Sequence, residues 1–216
     1  MINARDFTPQ EAFWAGEFGA EYIDRNRGSA LLARNLKFFA RVLRNAGQLH
    51  SCLELGANIG MNLRALSLLY PDQEQYAVEI NGEAAKILRE TMGDEGVFEG
   101  SISEFAPSRK WDLVLLKGVL IHLNPDTLPG VYERIFEAAG RYILVAEYYS
   151  PAPVAVTYRG YEDRLFKRDF AGDLLDRFRG LRLVDYGFAY HRDATSPQDD
   201  ITWFLLERTV SSKGGE

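Results

Sequence analysis

Residues 52–60, CLELGANIG, decide how this chain is read. A short apolar strand, SCLEL at 51–55, runs into Gly56, Asn58 and Gly60, and the helical pattern GMNLRALSLLY follows. A strand, a glycine loop and a helix in that order bring backbone to the carboxyl end of a strand, where α/β folds hold nucleotide-like ligands. Gly56 lets the chain turn tightly, and Gly60 lets the helix begin without a side chain blocking the ligand. A dinucleotide loop reads G-x-G-x-x-G, its second glycine making room for a pyrophosphate. Here G-x-N-x-G puts the Asn58 side chain there, which an adenosyl ligand without phosphates tolerates better than NAD does.

Two acidic residues sharpen the reading. Glu54 lies inside the strand, where an anion would repel a phosphate but suits a ligand bearing an ammonium and a sulfonium. Glu79 closes the next strand, in YAVEIN, about twenty residues beyond the glycine loop, where a carboxylate accepts both ribose hydroxyls. EGSIS closes the third, placing Ser101 and Ile102 near an adenine ring. In that order and spacing the residues favour S-adenosylmethionine over a nicotinamide dinucleotide.

Seven strand-like runs cover 51–55, 75–79, 96–99, 112–116, 142–147, 181–188 and 201–207. The first five are short, mostly apolar and separated by helical patterns or turns, as buried parallel strands are. GEAAKILRETMG reads as a helix beginning beyond Asn81 and ending at Gly93. Another is expected from Asn124 as N-cap and Pro125 to a stop at Gly140. The last two strands are joined by the polar AYHRDATSPQDD, with no room for a crossover helix, so they pair antiparallel. Residues 11–25 and 29–46 read as two helices outside any βα unit. The expected fold is a Rossmann-like three-layer αβα sandwich with a mostly parallel sheet. Residues 1–48 form an N-terminal helical segment, 49–208 the core and 209–216 a disordered tail.

The totals fit one soluble globular domain: 216 residues, 46% hydrophobic, 26% charged and a net charge of −6. The negative balance argues against nucleic-acid binding, which needs a dense basic patch. YRGYEDRLFKRD at 158–169 interleaves acids with its cations and reads as a mixed-charge surface segment. No run approaches the ~18 apolar residues of a membrane span. MINARDFTPQEAFW lacks the apolar run of a secretory signal. The one cysteine, Cys52, sits in an apolar strand as a small buried hydrophobe, which agrees with a reducing cytoplasm. No H-x-x-x-H or C-x-x-C pair marks a metal site.

With these residues in view, the chain resembles class I S-adenosylmethionine-dependent methyltransferases, with LELGANIG, AVEIN, GSI and WDLVLLKGVLIHL at the four motif positions. More closely it resembles a small group of methylases encoded with pseudaminic acid biosynthesis. The stretches behind that likeness are TPQEAFWAGEFGAEYIDRN, KGVLIHLNPDTLPGVYERIFEAAGRYILVAEYYSP, YRGYEDRLFKRDFAGDLLDRF and DYGFAYHRD with PQDDITWFLLE. The resemblance implies a seven-stranded sheet in order 3-2-1-4-5-7-6. It makes the segment bearing Trp14, Tyr22, Arg25 and Asn26 a lid over the cofactor. Glu54, Gly56, Asn58 and Gly60 would then fall on the methionine and ribose side. Glu79 and Ile80 would meet ribose and adenine, Ser101 and Ile102 the adenine, and Lys117 and Gly118 the neighbourhood of the methyl group.

The acceptor side draws on three groups. His122 follows the fourth strand, and a near-neutral imidazole suits general-base work; it equally suits packing under the cofactor. Glu147, Tyr148 and Tyr149 end the fifth strand, where a glutamate among aromatics holds an amine or steers a hydroxyl, or is a solvated strand end. Tyr158, Arg159, Lys167, Arg168, Tyr190, His191, Arg192, Asp199 and Asp200 come later; guanidinium groups among them would grip a sugar acid or a nucleotide-linked substrate. The expected function is methyl transfer from S-adenosylmethionine, yielding S-adenosylhomocysteine. The small-molecule acceptor is a nonulosonic acid sugar, its CMP-activated form or a pathway intermediate. Alternatives are methylation of an unrelated amine, guanidine or carboxylate, and a protein that binds the cofactor without turnover. A monomer and a homodimer both fit, the aromatic segments near 148–161 being either lid or interface.

Overall fold

The computed structural model describes residues 7–209. Five parallel strands form the first part of the sheet: β1 (Ser51–Leu55), β2 (Glu74–Glu79), β3 (Val97–Glu99), β4 (Trp111–Lys117) and β5 (Ala139–Glu147). A hairpin of β6 (Val154–Tyr158) and β7 (Tyr161–Lys167) follows, outside the main sheet. β8 (Leu181–Ala189) and β9 (Ile201–Arg208) then complete it antiparallel, giving the order β3-β2-β1-β4-β5-β9-β8. With the hairpin set aside, this is the strand order that the resemblance to class I methyltransferases implies.

Helices cover both faces. α3 (Ser29–Val42), α4 (Met61–Leu69) and α5 (Gly82–Met92) pack on one, through Phe38, Phe39, Leu66 and Leu88 against Cys52, Leu113 and Leu144. α6 (Leu128–Ala138) and α7 (Phe170–Arg177) pack on the other, through Val131, Ile135 and Leu174 against Leu53, Val114 and Ile143. Alternate residues of the central strands feed the two cores, which is why those strands read as unbroken apolar runs. Each fully buried leucine contributes roughly 1.5–3 kcal/mol relative to exposure. No helix among the described residues is long and apolar enough to cross a membrane.

The structure departs from the sequence expectation at four places. Residues 11–25 are two helices, α1 (Pro9–Ala15) and α2 (Glu17–Ile23), because Gly16 adopts an extended conformation between them. The helix expected from Asn124 starts as a 3-10 turn at Pro125–Thr127, capped by Asn124, and becomes α-helical at Leu128. Gly140 does not stop a helix; it lies in β5, so α6 passes straight into the strand. The segment 158–169 is mostly strand β7, joined to β6 by the two-residue Arg159–Gly160 turn with φ of 50° and 86°. The tail expected at 209–216 lies outside the described residues from 210 onward; the Thr209 amide still donates to the Gly180 carbonyl at 2.8 Å.

Candidate functional site

All five parallel strands end at one edge of the sheet, and their following loops surround a cavity of about 420 Å³. The loop after β1 is its floor. Gly56 has φ +74°, and a Cβ there would lie 2.4 Å from Val119 Cγ2, so only glycine lets this loop pass beneath the loop after β4. Asn58 is left-handed at φ +48°, a conformation asparagine tolerates, and its Oδ1 accepts the Ile59 amide. Gly60 caps α4 at φ +76°; a Cβ there would meet Leu88 Cδ2 at 2.8 Å. Its role is therefore packing against α5 rather than clearing space for a ligand, and it is not part of the cavity wall.

Glu79 is 7% exposed at the tip of β2. Its Oε2 accepts the Asn58 amide at 2.6 Å and its Oε1 the Asn81 amide at 2.8 Å. Burial raises its pKa, and the amide donors work against that rise. A carboxylate has about four acceptor positions, more than these amides fill, so capacity remains for a hydroxyl. Glu54, at 1% exposed, lies behind the wall and not in it. Its Oε1 accepts from Asn62 Nδ2 at 2.6 Å, and Asn62 Oδ1 in turn accepts from Asn35 Nδ2 at 2.9 Å. Burial pushes Glu54 up to about 8, so near neutral pH it is mostly uncharged. The expectation of an anion facing a cationic ligand is corrected by that burial; Asn62 and Asn35 stand at the surface of the cavity instead.

The N-terminal helices close the opposite side. Glu11 accepts from Thr8 in a capping box and from Ser101 Oγ in the loop after β3. Asn81 Nδ2 donates to the carbonyls of Trp14, Ala15 and Gly16 at 3.2–3.4 Å, while its Oδ1 caps α5. The Trp14 ring lies 4.6 Å from His122 and 5.3 Å from Tyr22; His122 lies 4.9 Å from Tyr158 of the hairpin.

His122 Nδ1 is 2.7 Å from the Arg164 carbonyl, which can only accept, so Nδ1 carries the proton and Nε2 the lone pair. Burial lowers its pKa to about 4. A near-neutral base is thus corrected to an imidazole that stays uncharged and accepts hydrogen bonds. Glu147, 2% exposed, directs Oε1 at the amides of Val119 and Leu120, 3.0 Å each, and burial lifts it to about 7. Burial also lowers Lys117, against the pull of Asp199, Glu54 and Glu147. Tyr148 is raised by burial and then by Asp199, Tyr22 and Tyr158, all of which line the same cavity.

The cavity wall therefore contains Trp14, Tyr22, Gly56, Asn58, Glu79, Ile80, Ser101, Ile102, Lys117 and Gly118 of the expected cofactor side. On the expected acceptor side it contains His122, Glu147, Tyr148, Tyr158, His191 and Asp199. Arg25, Tyr149, Arg159, Lys167, Arg168, Tyr190 and Asp200 stand outside it. Arg159 and Lys167 stack on the rings of Tyr158 and Tyr148 at 5.5 and 5.3 Å. Arg168 pairs with Asp173 and Asp200 with His191, so their charges are spent on the protein. Gln10, Arg34, Asn35, Asn62 and Gln198 also line the cavity and were not anticipated. Only Asn62 had a local signal, as a polar residue in the first turn of the helix after the glycine loop.

Four buried polar atoms on this wall lack a hydrogen-bond partner among the described residues: Gln10 Oε1, Trp14 Nε1, Asn35 Oδ1 and Glu147 Oε2. Unmet buried polar groups are rare in folded proteins. Four further such atoms, on Glu54, Trp111, Arg164 and Trp203, lie away from this wall, and the four on it are groups whose partners a polar ligand would supply.

Solved structures share this architecture. The 1,6-didemethyltoxoflavin-N1-methyltransferase of Burkholderia thailandensis, solved with that compound and S-adenosylhomocysteine bound, matches with a TM-score of 0.70 and 18% identity, over 97% of this chain and 94% of its own. Magnesium protoporphyrin IX methyltransferase (ChlM) of Synechocystis PCC 6803, with S-adenosylhomocysteine bound, matches at 0.66 and 12% identity, over 92% and 97%. The glycopeptide N-methyltransferase MtfA matches at 0.60 and 17% identity, over 88% and 99%. At such identities the likeness establishes the fold: this chain has the Rossmann-like α/β fold of class I methyltransferases. No protein-family model matches the chain, and no curated protein matches it in sequence.

Proposed function

We propose that the protein transfers the methyl group of S-adenosylmethionine to a small-molecule acceptor. The observation that carries this reading is the row of unpartnered buried polar atoms in a cavity that also holds Glu79, Ser101 and the Gly56 loop. The cofactor, when bound, supplies a methyl carbon activated by the sulfonium. Glu79 accepts the ribose hydroxyls, Ile80 and Ile102 flank the base, and Asn35 Oδ1 takes a donor at the methionine end. Trp14 and Tyr22, on helices pinned by Asn81 and Glu11, close the site as a lid and exclude water.

On the acceptor side the residues position and deprotonate. Alignment of the two reactants supplies much of the rate, since the displacement is in line. Glu147 has one oxygen fixed by two amides and the other unpartnered, with a pKa near 7, which suits it to take a proton from a hydroxyl. His122 Nε2 accepts a hydrogen bond that orients the acceptor, and Tyr148 borders the same space. With the cofactor bound, Glu147 Oε2 would take the acceptor's hydroxyl proton, and the cofactor would supply the methyl group and leave as S-adenosylhomocysteine.

For the acceptor we favour a sugar acid of the nonulosonic (pseudaminic) type, its nucleotide-activated form or a precursor. Lys117 and Arg34 support this choice, for both line the cavity and neither forms an ion pair with a described carboxylate. Asp199 in a cavity that also carries the Tyr22, Tyr148 and Tyr158 rings favours the second reading, a cationic amine acceptor. The single buried cysteine fits work in the cytoplasm. The test is incubation with methyl-labelled S-adenosylmethionine and a panel of nonulosonic acids, their CMP conjugates and simple amines, read by mass spectrometry. Label on a sugar acid supports the first reading, label on an amine the second. Binding without label on any compound leaves a cofactor-binding protein.

A further inference from the structure

We propose that Gln10 reads the exocyclic amino group of the adenine, an inference that rests on the cavity being an adenosyl site. The polar side chains around that end of the cavity are almost all spent on one another. Glu11 Oε2 accepts the Thr8 amide and hydroxyl, both at 2.8 Å, and Glu11 Oε1 accepts Ser101 Oγ. Ser101 Oγ, having donated to Glu11, accepts the Ser103 amide at 3.0 Å. Both side chains are thus already engaged within the protein.

Gln10 differs from them. It is 7% exposed, and its Nε2 donates to the Asp163 carbonyl of β7 at 3.1 Å. A carbonyl cannot donate, so this contact sets the orientation of the amide and identifies Oε1 as the other end. Oε1 is buried without a partner, and Gln10 lines the same cavity as Ser101 and Ile102, next in the chain to Glu11, which is bonded to Ser101. A fixed, unmet acceptor in a wall that also carries the apolar side chains of Ile80, Ile102 and Leu123 suits a planar ring with a donor on its edge. The amino group of adenine is such a donor. The carbonyl oxygen that replaces it in hypoxanthine is an acceptor and would leave two acceptors facing each other. Because the amide is held from behind by β7, base selection depends on α1 and the hairpin together, not on the loop after β3 alone.

The experiment is titration calorimetry with S-adenosylhomocysteine and with S-inosylhomocysteine, in which a carbonyl oxygen replaces the amino group. The wild-type protein should bind the adenosyl compound at least tenfold more tightly. In Gln10→Met, which keeps the size and loses the acceptor, that preference should vanish, with the adenosyl affinity falling and the inosyl affinity unchanged. A merely structural role for Gln10 lowers both affinities and keeps their ratio, which overturns the proposal. A wild-type ratio near one overturns it without any variant. If neither compound binds the wild-type protein, the cofactor reading itself fails and this inference falls with it.

Discussion

Glu79 Oε2 accepts the backbone amide of Asn58 at 2.6 Å, tying the tip of β2 to the glycine loop after β1. The same carboxylate holds the Asn81 amide through Oε1, so it shapes the loop as well as facing the cavity. Glu79→Ala should therefore weaken S-adenosylhomocysteine at least tenfold, about 1.4 kcal/mol. The circular dichroism spectrum should stay that of the wild type. Calorimetry showing an unchanged dissociation constant would take Glu79 out of the binding site.

Glu54 and Glu147 make stability depend on pH in a direction opposite to that of an ion-paired acid. Their folded values, about 8 and about 7, lie above the ordinary 4.5, so the folded state holds protons that the unfolded state has released. Stability then falls as pH rises from about 4.5 to about 8, by an amount on the order of a few kcal/mol. Glu54→Gln, a neutral isostere, should be more stable than the wild type at pH 9 and close to it at pH 5. Urea midpoints across that range check this, and a wild-type advantage at pH 9 would mean Glu54 is charged in the folded protein.

His122 titrates the other way. Its folded value of about 4 against 6.5 means that protonation favours the unfolded state as pH falls through that window. Its imidazole signals in a carbon-labelled sample should stay flat between pH 5 and 8. A midpoint near 6.5 would place His122 in solvent rather than between Trp14 and Tyr158.

Gly56→Ala would put a methyl group 2.4 Å from Val119 Cγ2 at a backbone φ of +74°. The expected loss is at least ~2 kcal/mol, part from the clash and part from the left-handed conformation. Adding Val119→Ala should recover the steric part only. A double variant no better than the single one would show that the backbone conformation is the whole effect.

Asn81→Ala removes the cap of α5 and the three bonds to the carbonyls at the end of α1. Trypsin should then cleave faster after Arg25 and Arg27, while the overall melting point drops modestly, by about 0.5–2 kcal/mol equivalent for the cap. Equal cleavage rates would mean that packing of Trp14 and Phe18 holds these helices without Asn81.

Much of this architecture is legible in the chain because buried strands and glycine loops are written locally. β1 to β5 are apolar runs in which both faces are covered, and β8 and β9 follow from a polar connection too short for a helix. The hairpin of β6 and β7 escaped, for Val154 and Val156 face solvent and its other side meets Phe13, Trp14 and Phe18 of a distant segment. In the sequence only charge marks the acceptor-side arginines, and the structure shows two of those charges spent on Asp173 and the Tyr158 ring. Gln10, Arg34 and Asn35 sit on helices, where an ordinary polar residue leaves no spacing signal.

The glycine loop and the acidic tip of β2 are legible in the chain, because each is written within one βα unit, whereas the strand order is implied only by the likeness to class I methyltransferases, since strand pairing joins residues far apart in sequence. Tertiary structure decided which polar groups are free to act. Glu54 is silenced by burial, His122 is fixed as an acceptor by a carbonyl 42 residues away, and Gln10 is aimed by a strand 153 residues along. Desolvation and hydrogen-bond partnership set the protonation and orientation of a side chain, and both come from neighbours that only folding supplies.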